Sequence, residues 1–232
     1  MTRSAKLPVP VSNREKQLGF FYTVFELLAL PYLLRAMNDL LIRPLSSVWI
    51  NFLFFSLNFL LLTAIMHHFL RRSLSYAGQH PVQLLAVAVA GFGMYMIANA
   101  GLSLIIAQLF PDFSNPNDQS IGAMAGVNFA VTAIGTVLLV PLAEELIHRG
   151  LIFGSLLSRN RTAAYLISAL FFAAVHMAQY IPITPPLTLA LSLVQYLPAG
   201  LVLAWSYECS GSIFAPVLIH TAVNVLGILS MR

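Results

Sequence analysis

The sequence has few charged residues and a single cysteine. Only 9% of its 232 residues are charged and 59% are hydrophobic, whereas an ordinary soluble domain has about 25% charged residues. This composition excludes a soluble globular domain and indicates a membrane protein. The lone Cys209 excludes a disulfide framework and a zinc ribbon, and it argues against redox chemistry.

Positive charge is also scarce. The formal net charge is +4, and the basic residues are dispersed along the chain. This excludes a nucleic-acid-binding surface, because in a membrane protein Lys and Arg mainly indicate which loops are cytoplasmic. The partner predicted from composition is therefore the lipid bilayer.

Long uncharged segments predict the fold class. With a mean hydropathy of +0.83, the chain holds several segments near the roughly 20 residues that cross a bilayer as a helix. We expect an all-α polytopic transmembrane helix bundle of six to seven spans. The predicted segments are Gly19–Leu34, Ser47–Met66, Val82–Phe110, Gly122–Leu157, Thr162–Tyr180, Leu187–Tyr207 and Ser212–Met231. The first contains Glu26 and Pro31, so it is either a kinked span or a helix at the interface.

The order of loops and spans predicts three regions and an orientation. Residues 1–18 form a basic cytoplasmic tail without a signal-peptide pattern, residues 19–121 form membrane helices without chemical motifs, and residues 122–231 form the polar core. With the tail inside, eight basic residues fall on the cytoplasmic side and Arg35, Arg43 and Arg232 fall outside. If residues 19–34 do not span, the tail moves to the other side. The eight inside are Arg3, Lys6, Arg14, Lys16, Arg71, Arg72, Arg159 and Arg161.

One predicted helix, Gly122–Leu157, contains ionisable residues although both of its ends are apolar. A charge at the centre of a membrane helix costs about 2.5–3.5 kcal/mol, so such residues usually mark a pathway or a reaction site. Glu145 and Arg149 can form a purely structural ion pair one turn apart. That pair does not account for Glu144, which points about 100° away around the helix.

A helical hairpin predicts a partner for Glu144. Glu144 and His176 each lie sixteen residues from Asn160, in the middle of the turn Ser158–Arg161. We therefore expect the two side chains to meet inside the membrane. Phe172 lies one turn before His176, where its ring can pack beside the imidazole.

The last span adds a second polar pair. His220 and Asn224 are one turn apart on one helix face, and both can donate hydrogen bonds. Considered alone, they fit an interhelical polar clamp. Together with Glu144 and His176, however, they bring an acid, two imidazoles and an amide from three helices, and this convergence predicts a site.

These groups favour hydrolysis of a peptide bond. A carboxylate and an imidazole around one water can act as general base and proton relay, and two donors can stabilise an oxyanion. The sequence lacks G-x-S-x-G, and Cys209 lies in a turn without a nearby base, so water is the expected nucleophile. H-E-x-x-H is also missing, and we predict no metal and no cofactor. Metal-dependent hydrolysis remains an alternative, and its candidate ligands are Glu144, Glu145, His148, His176 and His220.

Three motifs carry a resemblance to a known family. Glu144–Arg149 fits E-E-x-x-x-R, Phe172–His176 fits F-x-x-x-H, and His220–Asn224 fits H-x-x-x-N. In this order the motifs resemble the CPBP (Abi) family of intramembrane proteases, which includes CAAX prenyl endopeptidases and bacteriocin-processing or immunity proteins. The resemblance covers about residues 122–231, which it identifies as a CPBP-like catalytic core.

The resemblance implies a role for each motif residue. Glu144 would activate the attacking water with help from His176, while His220 and Asn224 would form the oxyanion site. The supporting residues would be Glu145, Arg149 and Phe172. The expected protein is a glutamate-type endopeptidase of a prokaryotic cytoplasmic membrane, acting on a membrane-embedded or lipid-modified protein. Two alternatives are a transporter that relays protons through Glu144, Arg149 and His176, and a non-catalytic immunity or scaffold protein.

Overall fold

The chain folds into a bundle of helices. The computed structural model describes residues 8–231, so Arg3, Lys6 and Arg232 lie outside the described residues. Within residues 8–231 the chain forms helices and no strands, which confirms the predicted all-α polytopic bundle. The helices are α1 (Asn13–Leu28), α2 (Leu30–Asp39), α3 (Ser47–Ile65), α4 (His67–Gln79), α5 (Pro81–Leu109), α6 (Pro116–Val127), α7 (Phe129–Leu157), α8 (Arg161–Met177), α9 (Pro186–Ser210) and α10 (Phe214–Ser230).

Five of the helices in the described part of the chain are long and apolar enough to cross a membrane. They are α3, α5, α7, α9 and α8 extended to Tyr180 by a short 3₁₀ turn. Helices α1 and α2 meet at Ala29 with a bend of 48°, and the described part of the chain has up to six spans if this bent pair is counted as one. The predicted final span is α10, an apolar helix of 17 residues.

The first helix begins earlier than the sequence predicts. Residues 13–18, predicted as part of the tail, form the start of α1. Ser12 caps this helix in a reciprocal capping box with Glu15. The same Glu15 carboxylate accepts a hydrogen bond from the backbone N–H of Phe69 over 2.7 Å, which ties the start of α1 to α4.

The segment before α1 is bound to the far end of the chain. The backbone N–H of Val9 donates to the carbonyl of Gly211, and the Tyr207 hydroxyl donates to the carbonyl of Val9 over 3.1 Å. Arg72 donates to the carbonyl of Pro10. The segment therefore lies at the same end of the bundle as Arg72 and the turn after α9.

The predicted long helix Gly122–Leu157 is wrong at its start. The structure has two helices here, because α6 ends at Val127 and α7 begins at Phe129. Between them Asn128 is extended (φ −152°), and its side-chain oxygen accepts from the N–H of Val131. Asn is among the preferred residues at a helix N-cap, because its side chain satisfies a backbone donor that the new helix leaves free.

Helix α7 is not a regular α-helix throughout. It contains two π-helical stretches, Ile134–Leu139 and Leu146–Phe153, on either side of the α-helical segment Val140–Glu145. Pro141 lies in this segment, where it has no N–H to donate and crowds the preceding turn. Because π-turns rotate the residues that follow them, Glu144 and Glu145 lie between two shifts of helical register.

Close packing holds the helices next to α7. Helix α8 packs on α9 where Gly200 faces Ala169; a Cβ atom on Gly200 would lie 2.7 Å from the Cα atom of Ala169. A cluster of buried apolar residues that includes Ala88, Phe172, Leu203 and Ile219 joins α5, α8, α9 and α10. These contacts fix α8 and α10, which carry the second and third sequence motifs.

Candidate active site

Glu144 lies beside two imidazole rings. Its Oε2 atom is 3.7 Å from Nε2 of His176 and 3.9 Å from Nε2 of His220. The approach of Glu144 to His176 expected from their equal distances to Asn160 is thus present. The Glu144 side chain keeps 25% of its accessible surface, whereas Glu145 keeps none. Of the two adjacent carboxylates, only Glu144 has a partly exposed side chain, and its Oε2 atom is itself buried without a hydrogen-bond partner.

Glu145 is a buried carboxylate shared between a histidine and an arginine. Its Oε1 atom is 2.9 Å from Nδ1 of His220 and accepts from Nη1 of Arg149 over 3.2 Å. Arg149 is fully buried, its Nε is 3.1 Å from Oε2 of Glu145, and its Nη2 donates to the carbonyl of Gly200. The predicted Glu145–Arg149 pair is present, and it also orients His220 through Glu145.

Hydrogen bonds at Nδ1 fix the ring orientation of both site histidines. Nδ1 of His176 lies 2.8 Å from the carbonyl oxygen of Phe172, which can only accept, so this nitrogen carries a proton. By the same argument Nδ1 of His220 donates to the Glu145 carboxylate. Both rings therefore present Nε2 to Glu144. Each Nε2 is an acceptor when its ring is neutral and a donor when its ring is protonated.

Phe172 contacts most members of the site. Its ring centroid is 4.5 Å from that of His176 and 6.0 Å from that of His220. The guanidinium carbon of Arg149 lies 4.7 Å from the ring centre, within the range of a cation–π contact. The expected packing of Phe172 beside the His176 imidazole is present, and the same ring supports the buried arginine.

Asn224 is bonded to the backbone of α7. Its Nδ2 atom donates to the carbonyl of Thr136 over 2.7 Å, one turn along α10 from His220. A primary amide has two N–H donors, so one of them stays available when the other is bound to Thr136. The implied oxyanion role of Asn224 stays a prediction.

His148 lies behind the site rather than in it. It is 1% exposed, and its ring packs against Phe171 and Phe172. Its Nδ1 atom is buried without a hydrogen-bond partner. Among residues 8–231, no three side chains of His, Cys, Asp or Glu are grouped so that they could hold a metal ion.

Several residues near the site were not predicted from the sequence. Tyr196 of α9 stacks on His176 with ring centroids 4.4 Å apart, and Asn117 of α6 donates to its hydroxyl. Glu26 of α1 lies within electrostatic range of Glu144, and one of its carboxylate oxygens is buried without a hydrogen bond. Asp118, at the start of α6, is close to His176; burial raises the pKa of Asp118, and His176 opposes that shift.

The fold and the site together define a class of protein. The chain is an integral membrane helix bundle with a buried constellation of carboxylate, imidazole and guanidinium groups in its C-terminal half. Residues 126–226 match the family model described as type II CAAX prenyl endopeptidase Rce1-like. This match includes all three motifs and confirms the resemblance to the CPBP family.

Two curated relatives are also similar to this chain. It is 32% identical over 90 residues to UPF0177 protein YxdF of Lactococcus lactis subsp. lactis (strain IL1403), an alignment that covers 39% of this chain and 44% of the relative. It is 27% identical over 150 residues to the membrane-embedded CAAX protease MroQ of Staphylococcus aureus (strain USA300), covering 59% and 54%. The chain thus spans about half the length of the curated relatives it matches. No solved structure shows significant similarity.

Proposed function

We propose that this protein is a glutamate-type intramembrane endopeptidase that hydrolyses a peptide bond in a membrane-embedded or lipid-modified protein. The observation that carries the proposal is the position of Glu144 Oε2, which lies within 4 Å of two imidazole Nε2 atoms. The Rce1-like match and the relative named as a CAAX protease support the same reaction class and a substrate at the membrane. The two bacterial relatives support a prokaryotic cytoplasmic membrane as its location.

The separations around Glu144 suit activation of one water molecule. Oε2 of Glu144 is buried and has no hydrogen-bond partner among the described residues, and a water bound to it, beside the Nε2 atoms 3.7 and 3.9 Å away, would supply the missing hydrogen bond. Ionised Glu144 takes a proton from this water as the water oxygen bonds to the substrate carbonyl carbon. The C–N bond then breaks, and the same proton passes to the leaving amine by way of Glu144 or His176.

Glu145 orients His220 so that its Nε2 atom faces Glu144. Because Nδ1 of His220 donates to Glu145, Nε2 carries a proton only when the ring is an imidazolium. His220 can then donate from Nε2 to the tetrahedral oxyanion, with the second N–H of Asn224 as the other donor.

Replacement of the base tests this proposal. We expect Glu144→Gln to lower kcat by about 10²- to 10⁴-fold, because the amide cannot accept the proton from water. The assay uses the detergent-purified protein and a farnesylated peptide that ends in a CAAX sequence, with products followed by mass spectrometry. In parallel, membrane proteins from cells with either form are compared for new termini that require Glu144, which also detects substrates that are not prenylated.

A matched carboxylate provides the control. Glu208 lies in the last turn of α9, where it is bound to Arg161 and Tyr165. The Glu208→Gln protein should therefore keep the wild-type activity. Glu144→Gln should insert and unfold like the wild type. Full activity of folded Glu144→Gln in both assays would contradict the proposed mechanism.

A chelator distinguishes the metal-dependent alternative. We expect activity to survive EDTA treatment, since Glu144 and the two histidines supply the base and the donors. Loss of activity in EDTA and recovery with a divalent ion would instead assign the water activation to a metal. Solute flux that depends on pH in proteoliposomes, without any cleavage, would favour the transporter.

Asn224 tests the oxyanion part of the mechanism separately. Removal of one oxyanion donor typically lowers kcat by about 10²- to 10³-fold, and we expect Asn224→Ala to fall in this range with little change in KM. Unchanged turnover would restrict Asn224 to its bond with Thr136.

A further inference from the structure

The ring of His176 is in contact with a second aromatic residue besides Phe172. Tyr196 of α9 lies with its ring centroid 4.4 Å from that of His176, and the two planes are inclined by 30°. Phe172 is on the same helix as His176, but Tyr196 belongs to the next helix. The stack therefore fixes the His176 ring relative to α9 as well as to α8.

Tyr196 is itself held by the start of α6. Asn117 donates from Nδ2 to the Tyr196 hydroxyl over 2.9 Å. The neighbouring Asn115 caps α6 and donates to the side chain of Gln195 over 2.8 Å. Two adjacent residues of α9 are thus bound by two side chains of one short segment.

Three contacts leave the His176 ring little freedom to rotate: the stack on Tyr196, the packing against the Phe172 ring and the bond to the Phe172 carbonyl. Its Nδ1 atom is bonded to the carbonyl of Phe172 at 2.8 Å, but a single hydrogen bond lets the ring plane tilt about that direction. The stacked Tyr196 ring opposes this tilt and keeps Nε2 directed at Glu144. Since a misplacement of about 1 Å can lower a rate by about 10²-fold, the tilt matters for catalysis.

We propose that Tyr196 is a positioning residue for His176, and that Asn117 holds Tyr196 through its hydroxyl. The start of α6 then forms part of the wall of the site. This inference rests on the proposed function, in which His176 assists the activation of water.

Two substitutions of Tyr196 separate the ring from the hydroxyl. In the farnesylated-peptide assay, Tyr196→Leu should lower kcat by about 10- to 100-fold, by the same misplacement argument, while KM changes less than about two-fold. Tyr196→Phe keeps the ring and should stay within about three-fold of the wild type. Unchanged kcat in Tyr196→Leu, or an equal loss in both variants, would overturn the proposal.

The chain contains a matched control for the loss of a tyrosine–histidine stack. Tyr76 stacks on His80 with centroids 4.2 Å apart, near the turn after α9 and away from Glu144. Tyr76→Leu should leave kcat unchanged. An equal loss in Tyr76→Leu and Tyr196→Leu would show a general effect on packing and would overturn the proposal.

The role of Asn117 is tested by combining substitutions, which also covers the case in which Tyr196→Leu does not fold. Asn117→Ala should lower kcat modestly in the wild type and have no further effect in Tyr196→Phe, because that variant lacks the hydroxyl that Asn117 binds. An equal effect of Asn117→Ala in both backgrounds would contradict the arrangement.

A measurement that needs no substrate distinguishes failure of this inference from failure of the proposed function. Diethyl pyrocarbonate modifies exposed imidazoles, and the modified peptides are quantified by mass spectrometry. His176 should react faster in Tyr196→Leu than in the wild type. In Tyr196→Phe it should react at the wild-type rate. Equal rates in all three proteins would overturn the positioning role, whereas absence of cleavage by the wild type would count against the proposed function alone.

Discussion

Asn224 donates its side-chain N–H to the backbone carbonyl of Thr136 over 2.7 Å. Thr136 lies in the first π-helical stretch of α7, where the N–H of Val140 is bonded to the carbonyl of Gly135. In the same register the carbonyl of Thr136 would accept from residue 141, but this residue is Pro141 and has no N–H. Asn224 thus donates to a carbonyl whose partner in this register, residue 141, has no N–H.

The first prediction follows from this bond. Asn224→Ala should lower the free energy of unfolding by about 1–3 kcal/mol, because the buried carbonyl of Thr136 loses its donor. In a Pro141→Ala background the same substitution should cost less, since an alanine at that position supplies the missing N–H. Chemical unfolding of the four proteins in detergent measures the coupling. If Asn224→Ala lowers the free energy of unfolding equally in both backgrounds, the stabilising effect of Asn224 does not depend on Pro141.

The buried Glu145–Arg149 pair gives the second prediction. Glu145→Gln should lower the free energy of unfolding by about 3–5 kcal/mol, because it leaves the Arg149 guanidinium buried without its counter-charge. Adding Arg149→Met should restore part of the loss, because it removes the unpaired charge. Arg161→Met is the control: the Arg161 side chain is 68% exposed, and its partner Glu208, which is 9% exposed, keeps the hydrogen bond from Tyr165, so we expect a smaller loss. Additive losses in the double variant would contradict this explanation.

The close approach of α8 and α9 gives the third prediction. Gly200→Ala should destabilise the protein by about 1–3 kcal/mol, the usual cost of overpacking, because the new Cβ would contact the Ala169 backbone. Gly227→Ala is the matched substitution, since no heavy atom lies within 4 Å of the added Cβ. Thermal unfolding of both variants in one detergent should show a lower Tm for Gly200→Ala only. A similar Tm for both variants would show that α8 and α9 can move apart without loss of stability.

The sequence predicts the part of the site that depends on one helical hairpin. Equal distances along two helices from one tight turn place Glu144 and His176 at the same depth. This relation does not depend on how the other helices pack. The uncharged segments likewise predict α3 and α5 to within one residue at each end, because the membrane itself requires that length.

Contacts that depend on helix rotation were not accessible from the sequence. His220 meets Glu145 as well as Glu144 because of the way α10 packs against α7, and no local pattern fixes the rotation of either helix. The π-helical stretches change that rotation further, and Pro141 alone does not determine where the register shifts. Tyr196 is one aromatic residue in an apolar helix and gives no signal of its own. The break at Asn128 was missed although Asn is a recognised helix cap.

The bond between Val9 and Gly211 bears on how the protein is made. The Tyr207 hydroxyl that also holds Val9 lies 198 positions further along the chain, so the earliest described segment leaves the ribosome long before its binding partners exist. It can dock only after α9 and the turn that follows it have been made. A nascent chain that stops before Tyr207 would lack this contact between the segment before α1 and the end of α9.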